Sequence, residues 1–223
     1  MARMLNTNDA AIRCINTIRR HQRLCKQVVN DEELILQIQT TADVLISKDQ
    51  VLQVKQVERE NAYDDVILYD RYLDDTVRSV FEDCKQFDRK NRSETVLSKI
   101  FPDEKFGEIV RLPFAKEISD VQQISVRLKS LGEDHELFAL AEQLDTSIAN
   151  SKSALKTVDE SITSIKMAEA EVEIAKEALI RRYEINYLEA RKKYGRNTAE
   201  KLFPKIYSRK TITEIENEAV EAA

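Results

Sequence analysis

Three aspartates fall within one seven-residue stretch, Asp64-Asp65-Val66-Ile67-Leu68-Tyr69-Asp70. Carboxylates clustered on a helix can bind Mg²⁺ and through it grip the oxygens of a diphosphate. The same residues, with Asp74 and Asp75, lie off the apolar stripe of their segment, which also suits a solvated acidic face. His21 and Cys25 form an i, i+4 pair that could offer two ligands to a metal, but a zinc site needs three or four and no second pair stands near them. A di-iron centre needs Glu-x-x-His on two helices; the residues three before His21 and His135 are Ile18 and Gly132, so neither fits. The last set is basic. Arg181, Arg182, Arg191, Lys192, Lys193 and Arg196 alternate with Tyr183, Tyr187 and Tyr194, a pattern able to hold an anionic surface or nucleic acid. The three tyrosines also share one helical stripe, where they serve as core residues with the basic chains snorkelling around them.

The stretch from Asp64 to Asp70 resembles the aspartate-rich magnesium–diphosphate motif of the all-α isoprenyl diphosphate synthases. The resemblance implies a Mg²⁺-dependent diphosphate enzyme using Asp64, Asp65 and Asp70. It covers seven residues. That family carries a second Asp-rich motif on a facing helix, and nothing in this chain matches it.

The elements that must position these groups follow from composition. The chain of 223 residues has three Gly, three Pro and no Trp, where average usage gives about fifteen Gly and eleven Pro. Positive φ needs Gly and stiff turns favour Pro, so a chain nearly free of both is not a hairpin-rich β protein. The expected class is all-α with long helices. No apolar run reaches eighteen residues, and the N-terminal residues lack a secretory pattern. Cys14 and Cys25 share a helix face about 16 Å apart along the axis, too far to bridge. Free thiols fit a reducing, cytoplasmic setting. Net charge is uneven: +5 over residues 1–29, −13 over 30–180, +7 over 181–210 and −4 over 211–223.

One phrase occurs twice. Arg89-Lys90 precedes Lys99-Ile100-Phe101-Pro102, and Arg191-Lys192 precedes Lys201-Leu202-Phe203-Pro204 at the same spacing. We read an internal duplication. The first half is expected over 1–102, a connector over 103–117, the second half over 118–204 and a polar tail over 205–223. Each half opens on a helix, Asn8 to Val29 and Ala115 to Leu131. Asn30 and Gly132 stop these, and Asp31-Glu32 and Glu133-Asp134 start the next helices. Each half then carries a long heptad region. One stripe is Ile35, Ile38, Ala42, Leu45, then Ala62, Val66, Tyr69, Leu73, Val77, Val80, Cys84 and Phe87. The other is Leu137, Leu140, Leu144, Ile148, Ser151, Leu155, Val158, Ile162 and Ile165, with a slip at 165–168 before Ala168, Val172, Ala175, Leu179, Tyr183 and Asn186. Each region is expected to fold as a hairpin, with corners at the Ser47–Gln50 capping box or at Glu58–Asn61, and at the 165–168 phase slip or the Thr157–Glu160 capping box. A short helix from Glu94 to Ile100 and another from Asn197 to Phe203, after Gly195, close the halves.

The expected architecture is an elongated antiparallel bundle of heptad-patterned helices built from two similar halves. The expected function is a non-enzymatic interaction or scaffold protein with no cofactor or metal, whose partner is a protein or a second copy. The alternative is an anionic-surface or nucleic-acid binder acting through the basic 181–210 segment.

Overall fold

The computed structural model describes residues 4–91, 95–102 and 106–203. Glu94, Pro204 and the rest of the chain beyond Phe203 lie outside the described residues, and with them the tail and the end of the basic segment. Among the described residues every regular element is helical: α1 (Ala11–Leu24), a π-helical turn (Cys25–Val29), α2 (Glu32–Lys90), α3 (Val96–Ile100), α4 (Phe106–Ile109), α5 (Phe114–Lys129) and α6 (Phe138–Leu202). The fold is all-α, as composition requires. No described helix is long and apolar enough to cross a membrane.

The chain divides into two compact units. The first comprises Met1–Lys55 and Ile165–Ala223, the second Gln56–Ser164. In the first unit α1 buries Cys14, Ile15, Ile18 and His21 on one face. Asn30 ends the π turn in the left-handed region, at φ 50°, which asparagine tolerates better than most residues. Asp31 then caps α2, its Oδ1 accepting the N–H groups of Glu33 at 3.1 Å and Leu34 at 3.2 Å. Its Oδ2 accepts from the Tyr194 hydroxyl at 2.7 Å and from Lys193 Nζ at 3.0 Å. Further along, Asn186 Nδ2 donates to the Leu34 carbonyl at 2.8 Å, Arg182 meets Gln37, and Lys48 meets Glu171 at 2.8 Å. As α2 numbers rise α6 numbers fall, so in this unit the two helices run antiparallel. Their shared core holds Ile38, Leu45, Leu179, Tyr183, Leu202 and Phe203.

The second unit is assembled from α3, α4, α5, the start of α6 and the end of α2. The Asp88 carboxylate accepts the N–H groups of Val96 at 2.7 Å and Leu97 at 3.1 Å, capping α3 from the end of α2. Arg127 of α5 donates to the Ile100 carbonyl at 3.0 Å. Thr76 on α2 meets Ser147 on α6 at 3.1 Å. The core gathers Leu73, Val77, Val80, Phe81, Ile100, Phe101, Val121, Ile124, Leu128 and Leu144.

The expected hairpin corners do not form. α2 runs unbroken through Ser47–Gln50 and Glu58–Asn61, and α6 runs unbroken through Thr157–Glu160 and 165–168. A capping-box hydroxyl also fits a helix interior when it turns back to a carbonyl one turn earlier, and Thr157 Oγ1 donates to the Ser153 carbonyl at 3.0 Å. Across the other corner Gln53 donates to Asp49 at 2.9 Å, an i, i+4 pair that supports helix. No Gly or Pro interrupts either stretch. The interruption in α6 is Gly195, whose φ of 77° and ψ of 170° are non-helical. The slip in the α6 stripe also moves. The buried positions are Ile148, Ser151, Ala154, Val158, Ser161, Ile165 and Ala168, while Leu155 and Ile162 are half-buried. The stripe therefore steps early, at Ser151–Ala154, and turns small side chains inward. Finally, α6 starts at Phe138 rather than at Glu133-Asp134. Gly132, at φ 101°, opens a run of turns in which His135 Nδ1 accepts the Leu137 N–H at 3.1 Å.

Candidate functional site

The aspartates of the sequence motif part company. Asp64 and Asp65 lie exposed on α2, whereas Asp70 is half-buried one turn before Asp74. Facing them from α5 is Glu117, which is only 1% exposed. Glu117 Oε1 and Asp74 Oδ1 are both buried without a donor. Burial pushes the Glu117 carboxyl up to about 8, and the Asp74 carboxylate, placed to accept a proton from Glu117, and the charges of Asp74 and Asp70 push the same way. Asp70 is raised as well, by burial and by Asp74, with Arg71 acting against the shift. The carboxyl cluster of this unit is thus Asp70, Asp74 and Glu117. Glu117 had a sequence signal: it stands at seam spacing with Val121, Ile124 and Leu128, a carboxylate where the α5 stripe calls for an apolar residue.

The His21–Cys25 pair sits in the core of the other unit. His21 Nδ1 lies 2.9 Å from the Leu202 carbonyl, so it carries the proton and donates. Cys25 Sγ is 3.5 Å from His21 Nε2. Burial lowers the histidine from its ordinary value, the Leu202 bond opposing that shift. Burial, then the charge of Asp31, pushes the Cys25 thiol up to about 12. Neutral imidazole and protonated thiol make this a structural pair rather than a thiolate nucleophile. The His21 ring packs 4.2 Å from Phe203 and edge-on to Tyr183 at 5.4 Å. No described group of three or more His, Cys, Asp or Glu side chains is arranged to hold a metal ion.

The basic residues of α6 meet groups of their own unit. Arg181 pairs with Glu177 at 3.6 Å, Arg182 with Glu189 at 3.5 Å, Lys193 with Asp31 at 3.0 Å and Arg196 with Glu200 at 3.0 Å. Arg191 lies over the Tyr187 ring, 5.9 Å from its centre, and Lys192 is exposed. The Asp31 carboxyl sits below its usual range: burial alone would raise it, but the hydrogen bonds from Tyr194 and Lys193 and the Lys193 charge outweigh burial. Of the six anion-binding candidates, four therefore spend charge on carboxylates of the same chain.

Open clefts indent the described residues of the second unit. One, of about 360 Å³, is lined by Phe101, Ile109, Leu112 and Ile124 with Asp120 and Arg127 at its polar edge. Another, of about 440 Å³, lies between Tyr69, Tyr72 and Thr76 on α2 and Gln143, Ser147 and Asn150 on α6. Compared with known proteins, the chain matches no family model, no curated protein and no solved structure.

Proposed function

We propose that this chain is a non-enzymatic helical scaffold, grown by duplication of one helical unit, and that its partner is a second copy of itself. The observation that carries the reading is the outward face of α6 in the first unit. Met167, Ile174 and Leu188 recur at multiples of seven residues and are 65%, 70% and 60% exposed; Ile185 joins the same stripe. A heptad stripe turned to solvent is a seam lacking its partner helix. With Arg181 completing the heptad series, the spacing is symmetric about the Glu177–Ala178 peptide bond. An antiparallel second copy sets Met167 opposite Leu188 and Ile174 opposite Arg181, whose aliphatic stem covers apolar surface while its guanidinium stays with Glu177. The same pairing sets Lys166 opposite Glu189, a complementary rim. Because it is the same patch on both copies, this interface closes as a dimer.

Duplication is supported by equivalent packing. Phe101 lies 5.2 Å from the Phe81 ring, and Phe203 lies 4.9 Å from the Tyr183 ring; Phe81 and Tyr183 precede them by the same number of residues. Each unit takes its leading helix and the start of a long helix from one repeat, and the end of a long helix from the other. The repeats therefore exchange their final segments, which is why the compact units and the sequence halves cut the chain differently.

Light scattering at tens of micromolar protein tests the self-association. The expected mass is twice the 25.8 kDa of the chain, falling to the monomer in a variant carrying Ile174→Asp and Leu188→Asp. Both sites are exposed, so each change should leave the fold within about 0.5 kcal/mol. Exposed rim charges are screened beyond about 8 Å at physiological salt, so the dimer should loosen but persist at high salt. A monomer at both salt levels would sink the reading.

A further inference from the structure

Among the described residues Glu117 is the most buried carboxyl group of the second unit, and it faces another carboxylate. It projects from α5 onto Asp74 of α2, with Asp70 one turn earlier on the same helix. Glu117 Oε1 and Asp74 Oδ1 are each buried with no N–H or O–H donor in reach. Two facing carboxylates cannot both be charged in a weakly polar interior, and an unpaired buried oxygen is costly. A single proton held between the two groups removes both difficulties, because it makes one oxygen the donor and the other the acceptor. The charges that bear on Glu117 are those of Asp74 and Asp70, and Arg71 bears on Asp70; all stand on α2. Among the described residues no charged group of α4 or α6 acts on Glu117.

We propose that the Glu117–Asp74 contact is a proton-operated latch, which holds α5 against α2 while the proton is shared and releases it as the proton is lost. The latch is independent of whether the chain self-associates. Its direction follows from which state holds the proton. Closed, Glu117 keeps the proton up to about pH 8; open to water it gives the proton up near the ordinary carboxylate value. Opening is therefore coupled to proton release across the interval between the two values and grows easier as pH rises through it. Above that interval both forms are deprotonated and the dependence ends. Repulsion from Asp70 adds to the release, since its charge acts on Glu117 in the same sense as that of Asp74.

Amide hydrogen exchange on the full-length chain from pH 5 to 9, compared with Glu117→Gln, tests the latch. Glutamine keeps the shape and supplies an N–H donor to Asp74, yet cannot titrate, so the ratio of the two proteins at each pH cancels the intrinsic chemistry of exchange. The ratio of α5 opening, unmodified over variant, should climb about tenfold per pH unit and level off above about pH 8. The same ratio for α1 amides should stay constant within about twofold. A ratio for α5 that ignores pH, or an equal climb in α1, overturns the latch. Should the variant not fold, the side-chain carboxyl carbon of Glu117 in the unmodified chain decides by NMR. A titration midpoint near 8 upholds the proposal, and one at about 4.3 overturns it.

Discussion

Under the proposed duplication, the two units place different chemistry at matching positions. Counting 103 residues on from α1 to α5, Cys14 answers to Glu117, Ile18 to Val121 and His21 to Ile124, and all six are buried. Counting 102 residues on from α2 to α6, Asp74 answers to Lys176, Phe81 to Tyr183 and Cys84 to Asn186. By this count the first unit carries His21, Lys176, Tyr183 and Asn186 where the second carries Ile124, Asp74, Phe81 and Cys84. Each polar core group in the first unit needs a partner and several find one. His21 takes the Leu202 carbonyl, Asn186 the Leu34 carbonyl and Lys176 the Glu173 carboxylate at 2.7 Å. The second unit packs hydrocarbon and rings, with the hydroxyls of Ser125, Ser151 and Ser161 and one buried carboxyl group, Glu117. The two interiors thus differ in kind, and the first still leaves the Tyr183 hydroxyl and Asn186 Oδ1 buried without a partner.

The sharpest way to break the comparison is to empty its shared position. Phe203 and Phe101 each fill the end of a unit, the first among Tyr183, Tyr187 and His21, the second against Phe81. Phe203→Ala and Phe101→Ala should each cost about 3–5 kcal/mol by denaturant unfolding. A loss below about 1 kcal/mol in one of them, with the full loss in the other, would show that the two segments are not equivalent plugs.

A smaller effect separates the two interiors by sign. Burial lowers the affinity of His21 for a proton in the folded state, so below pH ~6.5 the unfolded chain gains a proton that the folded chain refuses. Its contribution is whole above that value and is lost as pH falls, with a slope of about 1.4 kcal/mol per pH unit. Glu117 works the other way. Its folded value is raised, so its contribution is whole below the ordinary value of 4.5 and is lost as pH rises to about 8. Amide exchange resolved by helix should show α1 loosening in acid and α5 in alkali, and His21→Leu should abolish the acid slope in α1 alone. Two units responding to pH in the same sense would contradict this division.

The two side-chain caps rank next. Asp31 accepts two backbone N–H groups and two side-chain donors, whereas Asp88 accepts two N–H groups. Loss of a cap costs about 0.5–2 kcal/mol, and Asp31 in addition loses its bonds from Tyr194 and Lys193. Asp31→Ala should therefore destabilise more than Asp88→Ala. Thermal midpoints measured side by side decide the order, and equal shifts would mean that Tyr194 finds water when its acceptor is gone.

Much of this frame can be read from residue types. Scarcity of Gly and Pro gives the all-helical class, and the stripes mark Leu73, Val77, Leu144 and Leu179, all fully buried. Gly132, Gly195 and Asn30 mark the breaks because each holds a positive φ. The corners are misread because Ser-x-x-Gln and Thr-x-x-Glu satisfy a helix start and a helix interior alike; the deciding fact is which carbonyl the hydroxyl chooses. The stripe favours Leu155 over Ala154 because hydrophobicity ranks leucine higher, whereas a close helix contact prefers the smaller side chain. The Asp64-Asp65-Asp70 motif draws the eye along one helix. The cluster that forms lies across two helices, and Asp74 and Glu117 are forty-three residues apart.

Surface ion pairs give the smallest test, and here the units differ by context. In the first, Lys48 and Glu171 meet at 2.8 Å with both side chains substantially exposed. In the second, Lys129 meets Asp145, which also accepts the Ser125 hydroxyl at 2.6 Å. Burial alone would raise the Asp145 carboxyl, but the bonds from Lys129 and Ser125 and the Lys129 charge bring it below its usual range. An isolated exposed pair gives back most of its Coulomb energy to hydration and side-chain entropy, so a double-mutant cycle on Lys48→Ala and Glu171→Ala should yield a coupling of about 0.2–0.5 kcal/mol. Asp145 is already fixed in place by Ser125, so less entropy is lost when Lys129 joins it. Its coupling should be the larger, about 1 kcal/mol, and should fall when Ser125 is replaced by Ala. Added salt should halve the first coupling and change the second less, because a hydroxyl bond is not screened as a charge pair is. If both couplings fell equally with salt and neither responded to Ser125→Ala, the pairs would be interchangeable surface contacts. The difference between the units would then end at their cores.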